Sequence, residues 1–196
     1  MNWKSARVLG CIACSSWLAA TGCQRTGAGS ETQAAVPASL AADYIHTVIE
    51  ADRATYATQV VQRLQDEEGV ISANEHFKEN KALPLPAQML RMGAQRASAG
   101  GGLRYSLISK WAINKTNLPR TDFERRGLDE IAAHPEHPFR EYQTVKGVRY
   151  FMALYADRAV SPACVKCHNH HAESPRHDFR EGDVMGGIVI SLPVSQ

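Results

Sequence analysis

Cysteine is scarce in the part of this chain that can fold. Of its five cysteines, Cys11 and Cys14 fall within a short N-terminal apolar segment and Cys23 closes that segment, which leaves Cys164 and Cys167. A disulfide framework is thereby excluded. Charge of one sign is lacking as well. The 22 Lys and Arg face 20 Asp and Glu, and residues 1–22 hold two of the basic residues and none of the acidic ones, so the remainder carries 20 of each. A balanced surface gives no electrostatic basis for binding nucleic acid or an anionic bilayer. The sequence shows no internal repeat, no charge block, and no second apolar span that could carry a signal across a membrane.

The N-terminal segment combines Lys4 and Arg7, the apolar run "VLGCIACSSWLAA", and "ATGC" ending at Cys23. It falls short of the about 20 apolar residues a membrane span needs and reads as an export signal. Its end resembles the lipobox of bacterial lipoproteins, which makes Cys23 an acylated N-terminus. The expected organisation is a signal peptide at 1–22, a Gly-, Ser-, Thr- and Ala-rich tether at 23–37, and one folded domain at 38–196. With 44% apolar residues in the whole chain, the composition allows that last segment a core. The protein is then periplasmic and held to a membrane by lipid alone. Gln24, where Asp would retain a lipoprotein in many inner membranes, points to the outer one.

Apolar residues from Ile45 to Leu64 recur near helical period behind Ser39, a candidate N-cap, and stop at Gly69. They predict one long helix of about 45 Å. Pro84 and Pro86 break the chain before a short helix that ends near Arg96. "LRYSLIS" at 103–109, two strands around Lys146-Gly147, and "VMGGIVISLPV" at 184–194 predict an antiparallel sheet. Thr121 and Glu124 form a capping box that opens another helix. The fold class is α+β.

The chemistry concentrates in Cys164-Val165-Lys166-Cys167-His168. Two thiols three positions apart with an adjacent imidazole match C-x-x-C-H, the pattern of covalent c-type haem attachment. The sulfurs bond the two vinyl groups on one porphyrin edge while His168 ligates iron. Zinc competes, through Cys164, Cys167, His168 and His170 or His171, but structural zinc sites draw on two separated pairs. A redox dithiol competes too, yet such motifs sit at a helix N-terminus after a strand, whereas Cys164 follows "DRAVSPA", read as an irregular loop. Export favours haem.

The stretch "ALPLPAQML…YSLISKWAINKTNLPRTDFERRGLDEI…CVKCHNHHAESPRHDFREGDVMGGIVISLPV" resembles the periplasmic PAS-like c-type haem domains first described in cyanobacteria, which also serve as sensor regions of histidine kinases and chemoreceptors. Its most specific parts are "S-K-W…N…N-L-P…F-E" and the C-x-x-C-H followed by "G-D-V-x-G". The resemblance implies a PAS-like antiparallel sheet with a long N-terminal helix and short flanking helices. It also implies one covalent haem c on Cys164 and Cys167, with His168 as proximal ligand.

The sixth iron ligand sets potential and access to small ligands. Relatives are expected to carry a Cys shortly after the first helix, where this chain has Ala73 and Asn74, and His76 is the favoured substitute. His46, on the flank of the apolar stripe, is the next candidate. Met89, Met92, Met152 and Met185 read as core. Tyr105, Trp111, Tyr150 and Phe151 are candidates for lining a haem pocket, and Arg149 or Lys110 for pairing with a propionate. The leading function is one-electron transfer with a periplasmic redox partner. The alternative is a redox or gas sensor acting on a separate signalling partner. A haem enzyme ranks below both, because no sequence feature supplies a distal acid-base group.

Overall fold

The computed structural model describes residues 35–194. The expected signal peptide, Cys23 and all but the last residues of the tether lie outside the described residues.

The first helix, α1 (Ala38–Thr55), starts behind Pro37, so Ser39 lies inside the first turn and does not cap it. Proline suits this position because its fixed φ leads into a helix without wasting a donor. From Tyr56 to Glu67 the same rod continues as a π-helix. Here Thr58 Oγ1 donates to the Ala54 carbonyl and Arg63 Nε to that of Gln59. Such side-chain donors occupy carbonyls that the regular ladder uses and let it widen. Gly69, at φ +65°, ends the rod, as the sequence indicates.

After a turn-rich segment come α2 (Pro86–Ala99), β1 (Arg104–Ile108), a 3-10 turn (Lys115–Asn117), α3 (Asp122–Ala133), β2 (Phe139–Val145), β3 (Val148–Arg158), α4 (Pro162–His170) and β4 (Val184–Pro193). Gln88 Oε1 accepts from the Leu85 N–H and fixes the start of α2. The expected box at α3 is present: Glu124 N–H donates to Thr121 Oγ1, and Glu124 Oε2 accepts from the Thr121 N–H. Lys146 and Gly147 both take positive φ, the geometry of the tight hairpin turn that joins β2 to β3.

The sheet is fully antiparallel in the order β1-β4-β3-β2. Alternation along β3 sends Phe151, Ala153 and Tyr155 to a layer made by α1 and α2, and Leu154 to the opposite face, where Phe123, Leu128 and Ile131 of α3 meet it. The fold is α+β. Phe123, Ile131, Leu154 and Ile190 have no exposed surface, and each contributes roughly 1.5–3 kcal/mol of burial. Among the described residues no helix is long and apolar enough to cross a membrane.

Candidate functional site

The helix α4 carries Cys164, Cys167 and His168 and follows β3 after only Ala159, Val160 and Ser161. Pro162 occupies the first helical turn, a position that proline favours. The reading of this stretch as an irregular loop is therefore corrected, because the proline starts a helix there. Cys164 and Cys167, at i and i+3, share a helix face. Below Cys164 and Val165 lies an apolar cluster of Ala159, Phe179 and Met185, with Trp111 at its edge. Cys164 Sγ sits 3.4 Å from Ser161 Oγ.

The thiols and the imidazole stand in different electrostatic settings. Cys167 is exposed as a residue, yet enough protein surrounds its sulfur to push the thiol pKa up, and the Cys164 thiol and Glu75 carboxylate add to that push. His168 is held below the ordinary imidazole range, first by burial and then by the positive charge of Arg53 and by His171. The shift favours the neutral imidazole, the form that binds a metal. Its Nδ1 is buried without a hydrogen-bond partner, and its ring meets Phe179 edge-on at 5.9 Å.

The chain after α4 wraps back onto it. Asn169 Nδ2 donates to the Phe179 carbonyl while Asn169 Oδ1 accepts from the Phe179 N–H, both at 2.9 Å. The Arg176 guanidinium lies over Phe179 and Trp111, 4.3 and 4.9 Å from the ring centres. His170 Nδ1 is 2.8 Å from the Lys166 carbonyl and His177 Nδ1 is 2.9 Å from that of Asn169. His171 Nδ1 accepts from the Glu173 N–H, and its Nε2 lies 3.9 Å from Glu75. Among the described residues no three His, Cys, Asp or Glu stand close enough together to hold a metal ion.

The other wall is the π-helical stretch, tied to α4 by the ion pair of Lys166 with Asp66 at 2.9 Å. Three further buried polar atoms without partners lie on the rod, His46 Nε2, Arg53 Nε and Gln62 Oε1. Arg53 also pairs with Asp157 at 2.9 Å, where burial raises the carboxylate pKa against the pull of the guanidinium. His76 is exposed in the turn that also holds Glu75, and its N–H donates to Asn74 Oδ1. The turn is thus beside α4 through Glu75, while no contact joins the imidazoles of His76 and His168. His46 stacks on Tyr155 with ring centres 4.0 Å apart and has a buried, unpartnered Nε2.

This architecture can be set beside known proteins. A model of the Tll0287-like family matches residues 31–193. The chain belongs to the Tll0287-like family. The solved structure described as "Crystal structure of the cyanobacterial heme-protein Tll0287" shares the fold, with a TM-score of 0.52 and 18% identity over 83% of this chain and 99% of that one. No curated protein matches the chain.

The motifs that mark this Tll0287-like chain have visible structural tasks. Ser109 Oγ donates to the Met185 carbonyl and accepts from the Trp111 N–H, which joins the end of β1 to the start of β4 and seats Trp111 near α4. Asn114 Oδ1 accepts from Thr116, and the Asn117 carbonyl accepts from the Ser109 N–H. In "G-D-V-x-G", Gly182 has φ +84°, and a Cβ on Gly186 would stand 2.5 Å from the Ile108 carbonyl oxygen. Of the aromatic residues expected near the cofactor, Trp111 lies by α4. Phe151 and Tyr105 pack with α1 and α2, and Tyr150 lies under Arg104. Strand alternation reveals which face a residue takes and not which end of the sheet it occupies. Lys110 pairs with Asp129, and Arg149 covers the Tyr142 ring.

Proposed function

We propose that this chain is an exported, lipid-anchored protein that binds one c-type haem through Cys164 and Cys167, with His168 on the iron, and passes single electrons to a periplasmic partner. The observation that carries the reading is the state of His168. Its Nδ1 is buried and without a hydrogen-bond partner on the same helix as the two thiols, and burial favours its neutral form. A relative in fold described as a heme-protein supports it. A PAS-like arrangement of the sheet and its helices belongs to the same reading.

The residues fit the group. When bound, haem supplies a one-electron couple. The thiols anchor its edge, and Trp111, Phe179 and Met185 keep water from that side. His76 remains the proposed distal ligand, and Cys23 the lipidated residue.

A second reading, a haem-based redox or gas sensor, is favoured by the insertion of α4 between the two central strands of the sheet. The dithiol reading gains the helix N-terminus that the sequence did not show.

Protein matured in a host that assembles c-type cytochromes should be red and carry the mass of one haem that survives acid-acetone extraction. The Cys164→Ala/Cys167→Ala variant should lose the covalent haem. Colourless protein with the mass of bare polypeptide and acyl chains refutes the reading. Reduced spectra with CO or NO separate the two haem functions: an inert six-coordinate iron marks the carrier, and rapid gas binding marks the sensor.

A further inference from the structure

A cavity of about 490 Å³ lies between α2, the outer edge of β1 and the loop after it, away from α4. β1 is an edge strand, paired only with β4. The Ile108 carbonyl faces β4, where it lies against Gly186, and the Ser109 N–H turns the other way to the Asn117 carbonyl. Because successive residues of a strand alternate in direction, the backbone N–H and C=O groups of Leu107 and Tyr105 point outward into the cavity. Among the described residues no hydrogen bond takes up those groups on that side. The cavity is therefore walled around unpaired strand edge, the arrangement that accepts an added strand.

Its charge selects the occupant. Arg91 and Arg120 line it and stand in no ion pair among the described residues, and one Arg120 guanidinium N–H donates to the Thr116 carbonyl at 3.0 Å. Glu124, the acidic residue of the lining, accepts from the Arg120 and Thr121 N–H groups at the start of α3. Arg104 stands exposed on β1 itself. Edge-to-edge pairing with a second copy would bring these arginines together on both sides, which opposes it. We propose that this groove receives an extended acidic segment of a partner protein, which adds to β1 as a fifth strand. Backbone pairing at Tyr105 and Leu107 supplies affinity, and Arg91 and Arg120 select carboxylates. The surface is independent of the haem reading and stands or falls apart from it.

The probe is a fluorescein-labelled heptapeptide of alternating threonine and glutamate, titrated against the full chain and followed by anisotropy. Saturable binding is expected, at least tenfold weaker for the lysine counterpart and for the same peptide N-methylated throughout. Slower hydrogen exchange at the Tyr105 and Leu107 amides should accompany it. Arg91→Glu/Arg120→Glu, at two exposed positions, should lose tenfold or more with an unchanged circular dichroism spectrum. Equal binding of the lysine or methylated peptide, unchanged exchange at those amides, or no saturable binding at millimolar peptide overturns the proposal.

Discussion

Arg53 of α1 and Asp157 of β3 meet at 2.9 Å, each almost fully buried, and join the first helix to the strand that leads into α4. Removing one partner of such a pair leaves an uncompensated charge in the interior and typically costs about 3–5 kcal/mol. Arg53→Leu should lower the unfolding free energy by that order in urea denaturation, and Arg53→Leu/Asp157→Leu should recover much of the loss. A single variant within the error of the wild type would show that the pair is solvated in solution.

His46 should make the fold acid-sensitive near neutrality. Burial holds its imidazole below the ordinary range of about 6.5, against the opposing charges of Glu50 and Asp43. The folded state therefore binds this proton less readily than the unfolded one. Stability is complete above pH about 6.5 and declines as pH falls through that value. His46→Phe keeps a ring on Tyr155 and removes the titration, so its urea midpoint should fall less between pH 7 and pH 5 than that of the wild type. Parallel profiles for the two proteins would contradict the assignment.

Gly186 should tolerate no side chain. A Cβ there meets the Ile108 carbonyl 2.5 Å away, a backbone atom fixed by strand pairing. Gly186→Ala should destabilise by roughly 1–3 kcal/mol, read as a lower midpoint in thermal or urea unfolding. An unchanged midpoint would mean that β1 and β4 shift freely against each other.

For the distal ligand, His76→Ala should convert the ferric spectrum of the haem-loaded protein from low spin to high spin. Retention of the low-spin spectrum removes His76 from that role and turns attention to His46.

The parts of the fold that the sequence reveals are those in which a residue type has one local reason to be where it is. Lys146-Gly147 demands a tight turn, Thr121 with Glu124 caps a helix, and Gly69 stops one. The pentapeptide of α4 stands out for the same reason, because its spacing encodes chemistry. What stays hidden depends on tertiary partners. The π-helical widening after Tyr56 follows from side chains competing for carbonyls. Pro162 breaks a strand and opens a helix with the same ring, so the residue alone does not tell which. His46 reads on a helical wheel as the flank of the apolar stripe, and only the position of β3 covers it and Arg53 with Tyr155 and Asp157.

The three-residue link between Arg158 and Pro162 leaves α4 almost no slack. On its far side the chain returns through Phe179, clamped to Asn169, and enters β4. A displacement of this helix therefore bears on β3 through three residues and on the approach to β4 through the Asn169–Phe179 clamp.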